Sequence, residues 1–345
     1  MSKCTKCQYY MIDILKYIFS IGIVMLHTGF LKDIDSYGYW IEKGLVRIGV
    51  PFFFMASGFM LERKVNWGGV ERKQIFLNWS KRLFLRLIVF EVINIILDSV
   101  NYVFIGKDII KILLRHIRSV IFYPKGALWY IQACLVGIWI IYFFFKKKKQ
   151  KWIIPVGIML YIFALICNNY NFLVCDTEIG KMIDFLLLII YSVRNGLFYG
   201  FFFIYLGMCA FRIRCWLDNK RYGNVFLAML TIFVYFVFLS EISYLQNKEA
   251  KDDGSLFIFL PLLTILLLIL ATHFITTNRT TVLLRNLSTG IYLLHYPVLG
   301  FFKIIMNIYH AEIESIYVFF AVIISVHIIC LKAYSRNGKI SQLLK

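Results

Sequence analysis

Ten apolar runs of 17 residues or more recur along this chain, at 9–31, 44–62, 82–104, 127–145, 152–169, 195–211, 222–240, 255–276, 286–307 and 315–334. Runs of that length match the thickness of a bilayer's hydrocarbon layer, and a backbone placed in lipid has to satisfy its own hydrogen bonds, so each reads as a helix. The predicted fold class is all-α: a polytopic membrane protein of about ten transmembrane helices. Composition agrees, because 60% of the 345 residues are hydrophobic and 17% are charged, too few charges to cover a soluble domain. The expectation is a single transmembrane domain over 9–334, flanked by short tails at 1–8 and 335–345. Segment 182–193 is apolar but too short to cross, and reads as an interfacial or re-entrant element. The first run has the length of a full span and no small-residue cleavage site before the polar loop, so it reads as a retained helix and not a signal peptide.

Cytoplasmic loops of membrane proteins carry an excess of Lys and Arg. With the N-terminus inside, the inner segments hold 24 of these residues and the outer loops 12, while acidic residues run the other way, with three inside and thirteen outside. Both termini are therefore expected in the cytoplasm. Loop 107–125 runs against the rule, carrying Lys107, Lys111, Arg115, Arg118 and Lys125 on the outer side; its amphipathic spacing suits a segment lying along the surface. The net charge of +19 is thus mostly a topology signal, and no compact basic domain supports nucleic-acid binding. Lys146–Lys149 with Lys151 reads as a cytoplasmic turn attracted to anionic membrane lipid. Eight scattered cysteines suit small apolar fillers better than a disulfide framework, and Cys4-x-x-Cys7 lacks the second pair or nearby His of a metal site, so no metal is expected.

Against this apolar background the first helix carries Asp13, Lys16 and His27. A charge near the centre of a spanning helix costs about 2.5–3.5 kcal/mol, so something must compensate. At about 100° per residue Lys16 and His27 differ by roughly 20° around the axis, and Asp13 lies within roughly 60° of both. The three share one face, and at about 1.5 Å per residue Lys16 and His27 are separated by about 16 Å along it. A polar stripe of this kind reads as a functional seam.

Four further stretches carry polar groups at membrane depth. VRIGVPFFFMASGFMLER places Arg47 at the outer end of the second helix and Ser57-Gly58 in its middle, where small residues permit close helix contact or line a cavity. In ERKQIFLNWSKRLFLRLIVFE, Lys81, Arg82 and Arg86 sit at the cytoplasmic boundary. Guanidinium groups there suit phosphates, while positive-inside anchoring and snorkelling are the more ordinary reading. Glu91 lies deeper on the same helix, as a buried carboxylate that must pair or be protonated. KGALWYIQACL places Trp129 and Tyr130 at the outer start of the fourth helix, where an aromatic belt is the plain alternative. NLSTGIYLLHYPVL places Ser288, Tyr292 and His295 on one helical face, and His295 taken alone is more often a hydrogen-bonded packing histidine than a catalyst. His116, His273, His310 and His327 show no partner pattern and receive no role.

In this order and spacing, the Asp13-x-x-Lys16 start with its later His27, VPFFFMASGFML, the basic entry to the third helix, LWYIQACL, RNGLFYGFFFIYLG (from Arg194) and STGIYLLHYPV together resemble the acyltransferase 3 family. Members of that family are ten-helix integral membrane O-acyltransferases, and the likeness spans about 9–334. The RNGLFYGFFF and VPFFFM versions are most similar to the Gram-positive branch that includes the membrane domain of vancomycin-resistance serine racemases. Two features depart from the family pattern: Lys16 stands where Arg is usual, and Arg82 and Arg86 are separated by three residues instead of two.

The resemblance implies a multi-pass protein of a bacterial plasma membrane that transfers an acyl group, usually acetyl, from cytoplasmic acyl-CoA to a hydroxyl of an envelope glycan or lipid-linked acceptor. Acyl-CoA would be a co-substrate, with no permanently bound cofactor. It implies His27 as the catalytic residue with Asp13, Lys16 and Glu91 beside it, and Arg82, Arg86, Lys81 and Lys16 on the donor. Arg47, Ser57, Trp129, Arg194, Ser288, Tyr292 and His295 would line the substrate cavity. Two other readings stand beside it: a small-solute, amino-acid-like transporter, against which no internal repeat is visible, and a catalytically silent partner in an envelope-modifying complex.

Overall fold

The computed structural model describes residues 9–67, 71–104, 110, 117, 120, 122–217, 224–248, 254–274, 279–336 and 338–344. The N-terminal tail with Cys4 and Cys7, and most of loop 107–125, lie outside the described residues. The helices are α1 (Tyr10–Thr28), α2 (Asp35–Ile41), α3 (Arg47–Trp67), α4 (Arg72–Phe104), α5 (Trp129–Lys146), α6 (Ile153–Ile166), α7 (Glu178–Ile190), α8 (Phe201–Leu217), α9 (Asn224–Leu245), α10 (Leu260–Ala271), α11 (Arg279–Ile308), α12 (Ser315–Ser335) and α13 (Lys339–Leu344). No β-strand occurs among the described residues, and the protein is an all-α polytopic membrane protein.

Among the described residues seven helices are long and apolar enough to cross a membrane: Tyr10–Thr28, Asp35–Asn66, Gly126–Lys146, Gly196–Leu217, Asn224–Leu245, Thr281–Ile308 and Ser315–Ser335. The remaining expected spans fall elsewhere. The run at 82–104 lies in α4, which has ample length but is interrupted by Arg86, Glu91 and Asp98. The runs at 152–169 and 255–276 shorten to α6 and α10. Their missing ends are engaged with one another instead. Asn168 Oδ1 accepts the backbone N–H groups of Ser255 (2.9 Å) and Leu256 (3.2 Å), Asn169 Nδ2 donates to the Leu256 carbonyl (2.7 Å), and the Tyr161 hydroxyl donates to the Phe257 carbonyl (2.7 Å). The short apolar segment expected at 182–193 is part of α7, a 13-residue helix capped by Thr177, whose hydroxyl accepts from Gly180 N.

The chain packs as two compact units. The first comprises Met1–Ile12, Val50–Leu83 and Gln132–Thr277, and the second Asp13–Gly49, Phe84–Ile131 and Asn278–Lys345.

In the first unit, α3 and α8 cross at contact of their backbones. A Cβ added to Gly58 would strike the Ile204 carbonyl, and one added to Gly207 would strike the Met55 carbonyl. The two glycines are therefore reciprocal, each making room for the other helix, as small residues do at membrane-helix crossings. Fully buried aromatic rings pack around this crossing, with Tyr199 and Phe203 at 4.6 Å between centroids and Phe59 edge-on to Phe211 at 5.2 Å. Away from it, Glu241 of α9 serves the start of α10. Its carboxylate accepts the N–H groups of Ile258 (2.6 Å) and Phe259 (3.0 Å) and the hydroxyl of Tyr170 (2.7 Å), a negative charge at the positive end of a helix. Burial and this carboxylate push the Tyr170 phenol above its ordinary range, so it remains a donor.

In the second unit, α1, α11 and α12 share a core of Val24, Leu287, Ile291, Leu299, Phe319, Val322, Val326 and Cys330. Helix α1 stops at Gly29, whose φ of 87° is the left-handed conformation that glycine adopts without strain. Tyr334 donates to the Asn286 carbonyl at 2.6 Å and reaches the Leu344 carbonyl at 3.4 Å, so the C-terminal helix α13 is docked.

Because even one methyl group would meet a carbonyl oxygen, Gly58→Ala and Gly207→Ala should each destabilise the protein by about 1–3 kcal/mol, the range for overpacking a dense core. Gly300→Ala, where the added carbon meets Leu97 at an ordinary 3.6 Å, should be neutral or slightly stabilising. Melting temperatures in detergent, read by fluorescence-detected size exclusion, would show it. Unchanged melting of both Gly58→Ala and Gly207→Ala would mean that the crossing is looser than described.

Candidate active site

The polar residues of α1 are answered by those of α11, both in the second unit. Arg285, Ser288, Tyr292 and His295 succeed one another at intervals of three and four residues and so form a stripe along α11. At one end, Lys16 and Arg285 are the cations within electrostatic range of the buried Asp13, and Ser288 Oγ donates to the Lys16 carbonyl at 3.0 Å. At the other end, the His27 ring meets His295 at 5.2 Å between centroids, tilted by 35°, and meets Tyr296 edge-on at 5.9 Å. The two stripes run in the same direction along the chain, so both ends of the α1 stripe, at Asp13 and Lys16 and at His27, meet polar groups of α11.

His295 is fully buried. Its Nδ1 lies 2.9 Å from the Ile291 carbonyl, which has no proton to give, so Nδ1 carries the hydrogen and Nε2 is left with its lone pair. That Nε2 has no hydrogen-bond partner among the described residues. A buried imidazole nitrogen without a partner, beside a second imidazole, is a proton acceptor held ready. The walls around it are aromatic. Tyr292 packs against both His295 (6.3 Å) and Tyr130 (5.4 Å), and its hydroxyl donates to the Ala127 carbonyl. Trp129 is buried and stacks on Tyr123 at 5.7 Å, so it is a packing residue here and not part of a surface belt.

The other expected site residues are distributed as follows. Arg47 is paired with Glu42 at 2.6 Å. The pair spans five residues because Glu42–Val46 forms a π-turn, whose wider register brings positions five apart together. Glu91 is buried on α4, with Asp98 and Lys125 the charges nearest it in effect, and those two pair with each other. Arg86 donates from Nε to the Leu343 carbonyl at 3.0 Å, a cation at the C-terminal end of α13. Lys81 and Arg82, also on α4, are exposed and belong to the first unit, as do the half-buried Ser57 and Arg194. The second unit thus gathers Asp13, Lys16, His27, Ser288, Tyr292 and His295 along one seam. The first unit has an apolar cleft of about 600 Å³ lined by residues such as Ile158, Ile162, Phe202 and Leu262, whose polar wall residues are tyrosines.

Sequence reasoning missed three members of the seam. Arg285, just before the ninth apolar run, precedes Ser288 by three residues and so continues its stripe. Tyr296 follows His295 directly. His327 had been given no role, yet its Nε2 accepts from the Tyr17 hydroxyl at 3.0 Å while Nδ1 donates to the Ile323 carbonyl at 2.8 Å. Its partner is 310 positions away in the chain, and no local pattern announces it.

A family model described as an acyltransferase domain matches residues 9–334. Among characterised proteins, an amino-acid racemase from Enterococcus faecalis is 26% identical over 204 residues, covering 58% of this chain and 28% of that protein. A serine/alanine racemase from Enterococcus gallinarum is 24% identical over 329 residues, covering 93% of this chain and 45% of that protein. The chain therefore spans less than half the length of these relatives. No solved structure matches it. With the family model extending from the first turn of α1 to the last turn of α12, the chain belongs to the acyltransferase 3 family of multi-pass membrane acyltransferases.

Proposed function

We propose that this protein transfers an acyl group, acetyl in the simplest case, from cytoplasmic acyl-CoA to a hydroxyl of a cell-envelope carbohydrate or related lipid-linked acceptor. The observation that carries the reading is the contact between His27 and the buried His295, whose Nε2 is a ready acceptor. His27 removes the acceptor's hydroxyl proton as its oxygen attacks the thioester carbonyl. The C–O bond forms, the C–S bond breaks, and the proton passes to the departing CoA thiolate. His295, fixed by the Ile291 carbonyl, positions His27 and can share the proton across the pair.

The seam suits such a reaction for two reasons. Aromatic rings of Tyr292 and Tyr296 pack against the imidazoles, and a site that limits water favours transfer to an alcohol over hydrolysis. The opposite end of the seam carries Lys16 and Arg285 on the side of the membrane expected to be cytoplasmic, where an anionic donor arrives. Asp13 between them keeps those two cations from being left as unpaired charges in lipid.

His27→Ala should abolish transfer of radiolabelled acetyl from acetyl-CoA to envelope material in isolated membranes, a loss of about 10²–10⁴-fold for removing a general base, while the protein still inserts and purifies as the wild type. Full activity in that variant would sink the assignment. His295→Phe keeps a buried ring but removes the acceptor nitrogen. It should lower the maximal rate by at least about tenfold and alter its pH profile, with the apparent donor requirement unchanged. A variant with wild-type rate and pH profile would make His295 a packing residue. Mass spectrometry of envelope glycans from cells with and without the protein identifies the acceptor and acyl group together.

A further inference from the structure

In the first unit a carboxylate is buried with one of its two oxygens unanswered. Glu62, near the end of α3, is 3% exposed. Its Oε1 accepts from Arg212 Nε at 2.8 Å, and its Oε2 has no hydrogen-bond partner among the described residues. Arg212, on α8, lies over the ring of Tyr205 at 5.8 Å. Arg72, which opens α4, stands 3.9 Å from the centroid of Phe145 and within electrostatic range of both Glu62 and Arg212.

Arg–carboxylate pairs are frequently bidentate, the fork of the guanidinium meeting both oxygens. Here Arg212 engages one oxygen, and a second guanidinium waits on an aromatic face nearby. Leaving a buried carboxylate oxygen unmet is costly. The arrangement holds one more positive than negative charge around an acceptor that lacks a donor.

We infer that Glu62, Arg72 and Arg212 form a binding site for a phosphate ester that carries a hydroxyl or amide N–H beside its phosphate. The phosphate lies on the guanidinium groups of Arg72 and Arg212, and the O–H or N–H donates to Glu62 Oε2. Acyl-CoA has this chemistry, and assigning it as the occupant rests on the function proposed above; a glycerol-bearing anionic lipid headgroup has the same chemistry. The assignment places the donor's phosphate on Arg72, at the first turn of α4, instead of on Arg82 and Arg86, where Arg86 Nε is engaged by the Leu343 carbonyl and Arg82 is exposed.

The test is equilibrium binding of radiolabelled CoA, with no turnover, to the full-length protein in phosphatidylcholine nanodiscs. Arg72→Gln, which leaves the Glu62–Arg212 pair intact, and Arg212→Gln should each weaken CoA binding about tenfold or more. Glu62→Gln retains an acceptor for Arg212 but turns a donor towards the ligand. It should weaken CoA while leaving pyrophosphate, measured by competition, unchanged or tighter. CoA binding that is the same in wild type and all three variants would overturn the site and leave the proposed reaction standing. Failure of the wild type to bind CoA, together with retention of phosphatidylglycerol from mixed nanodiscs that Arg72→Gln abolishes, would uphold the site with a lipid headgroup as its occupant and count against acyl-CoA. No binding of either ligand would overturn the site.

Discussion

The second unit depends on the facing of two polar stripes, one on α1 and one on α11. Neither helix is tolerable in lipid alone. Asp13, Lys16 and His27 would each carry a desolvation cost on an isolated α1, as would Arg285 and His295 on α11. Together they cancel most of it. The carboxylate has two cations in range, the Ser288 hydroxyl is taken up by a backbone carbonyl of the facing helix, and the imidazoles lie ring to ring. Polar groups act here as the specification of the helix pair, because sliding or rotating either helix would expose several of them to hydrocarbon at once. What the fold needs for stability is therefore also what would align the chemistry proposed for the seam.

The first unit reaches its packing by different means. Its helices meet through glycines at Gly58 and Gly207, and one of its buried carboxylates, Glu241, is held by the backbone N–H groups of Ile258 and Phe259. Close backbone approach gives dispersion contacts, which remain effective in lipid, where no hydrophobic force draws helices together. The contrast assigns different tolerances to the two units. A polar-to-apolar change in the seam preserves volume but removes the polar pairing of the helices, whereas adding a methyl group at the crossing keeps every polar group and removes the fit.

Much of this was legible in the sequence because it rests on local periodicity. The stripe of Asp13, Lys16 and His27 follows from helical angles alone, as does the spacing of Ser288, Tyr292 and His295. The facing of the two stripes does not, since it joins positions more than 260 residues apart. The same limit hid Tyr17 and His327. Hydropathy also overextended α6 and α10, because Asn168 and Ser255 sit inside apolar runs but are used by their side chain and backbone, respectively, to fasten a loop. Arg47's partner was missed for a subtler reason: an α-helical count places Glu42 off its face, and a single π-turn restores it.

Placement of charge along α4 shows how similar sequence signals separate once packing is known. Arg82 and Arg86 are four apart and share a face, which suggests a common role. Yet Arg86 closes the C-terminal end of α13 through the Leu343 carbonyl, and Arg82 is exposed. A guanidinium committed to a helix terminus gains from the dipole and from a satisfied carbonyl, so taking it away for a ligand requires the ligand to replace both. Arg72 has no such commitment: it rests on an aromatic ring, a contact a phosphate can share because the π-face leaves the guanidinium's in-plane donors available. Of the basic residues in the first part of α4, the one least conspicuous in sequence is therefore the one to which the anion is assigned above.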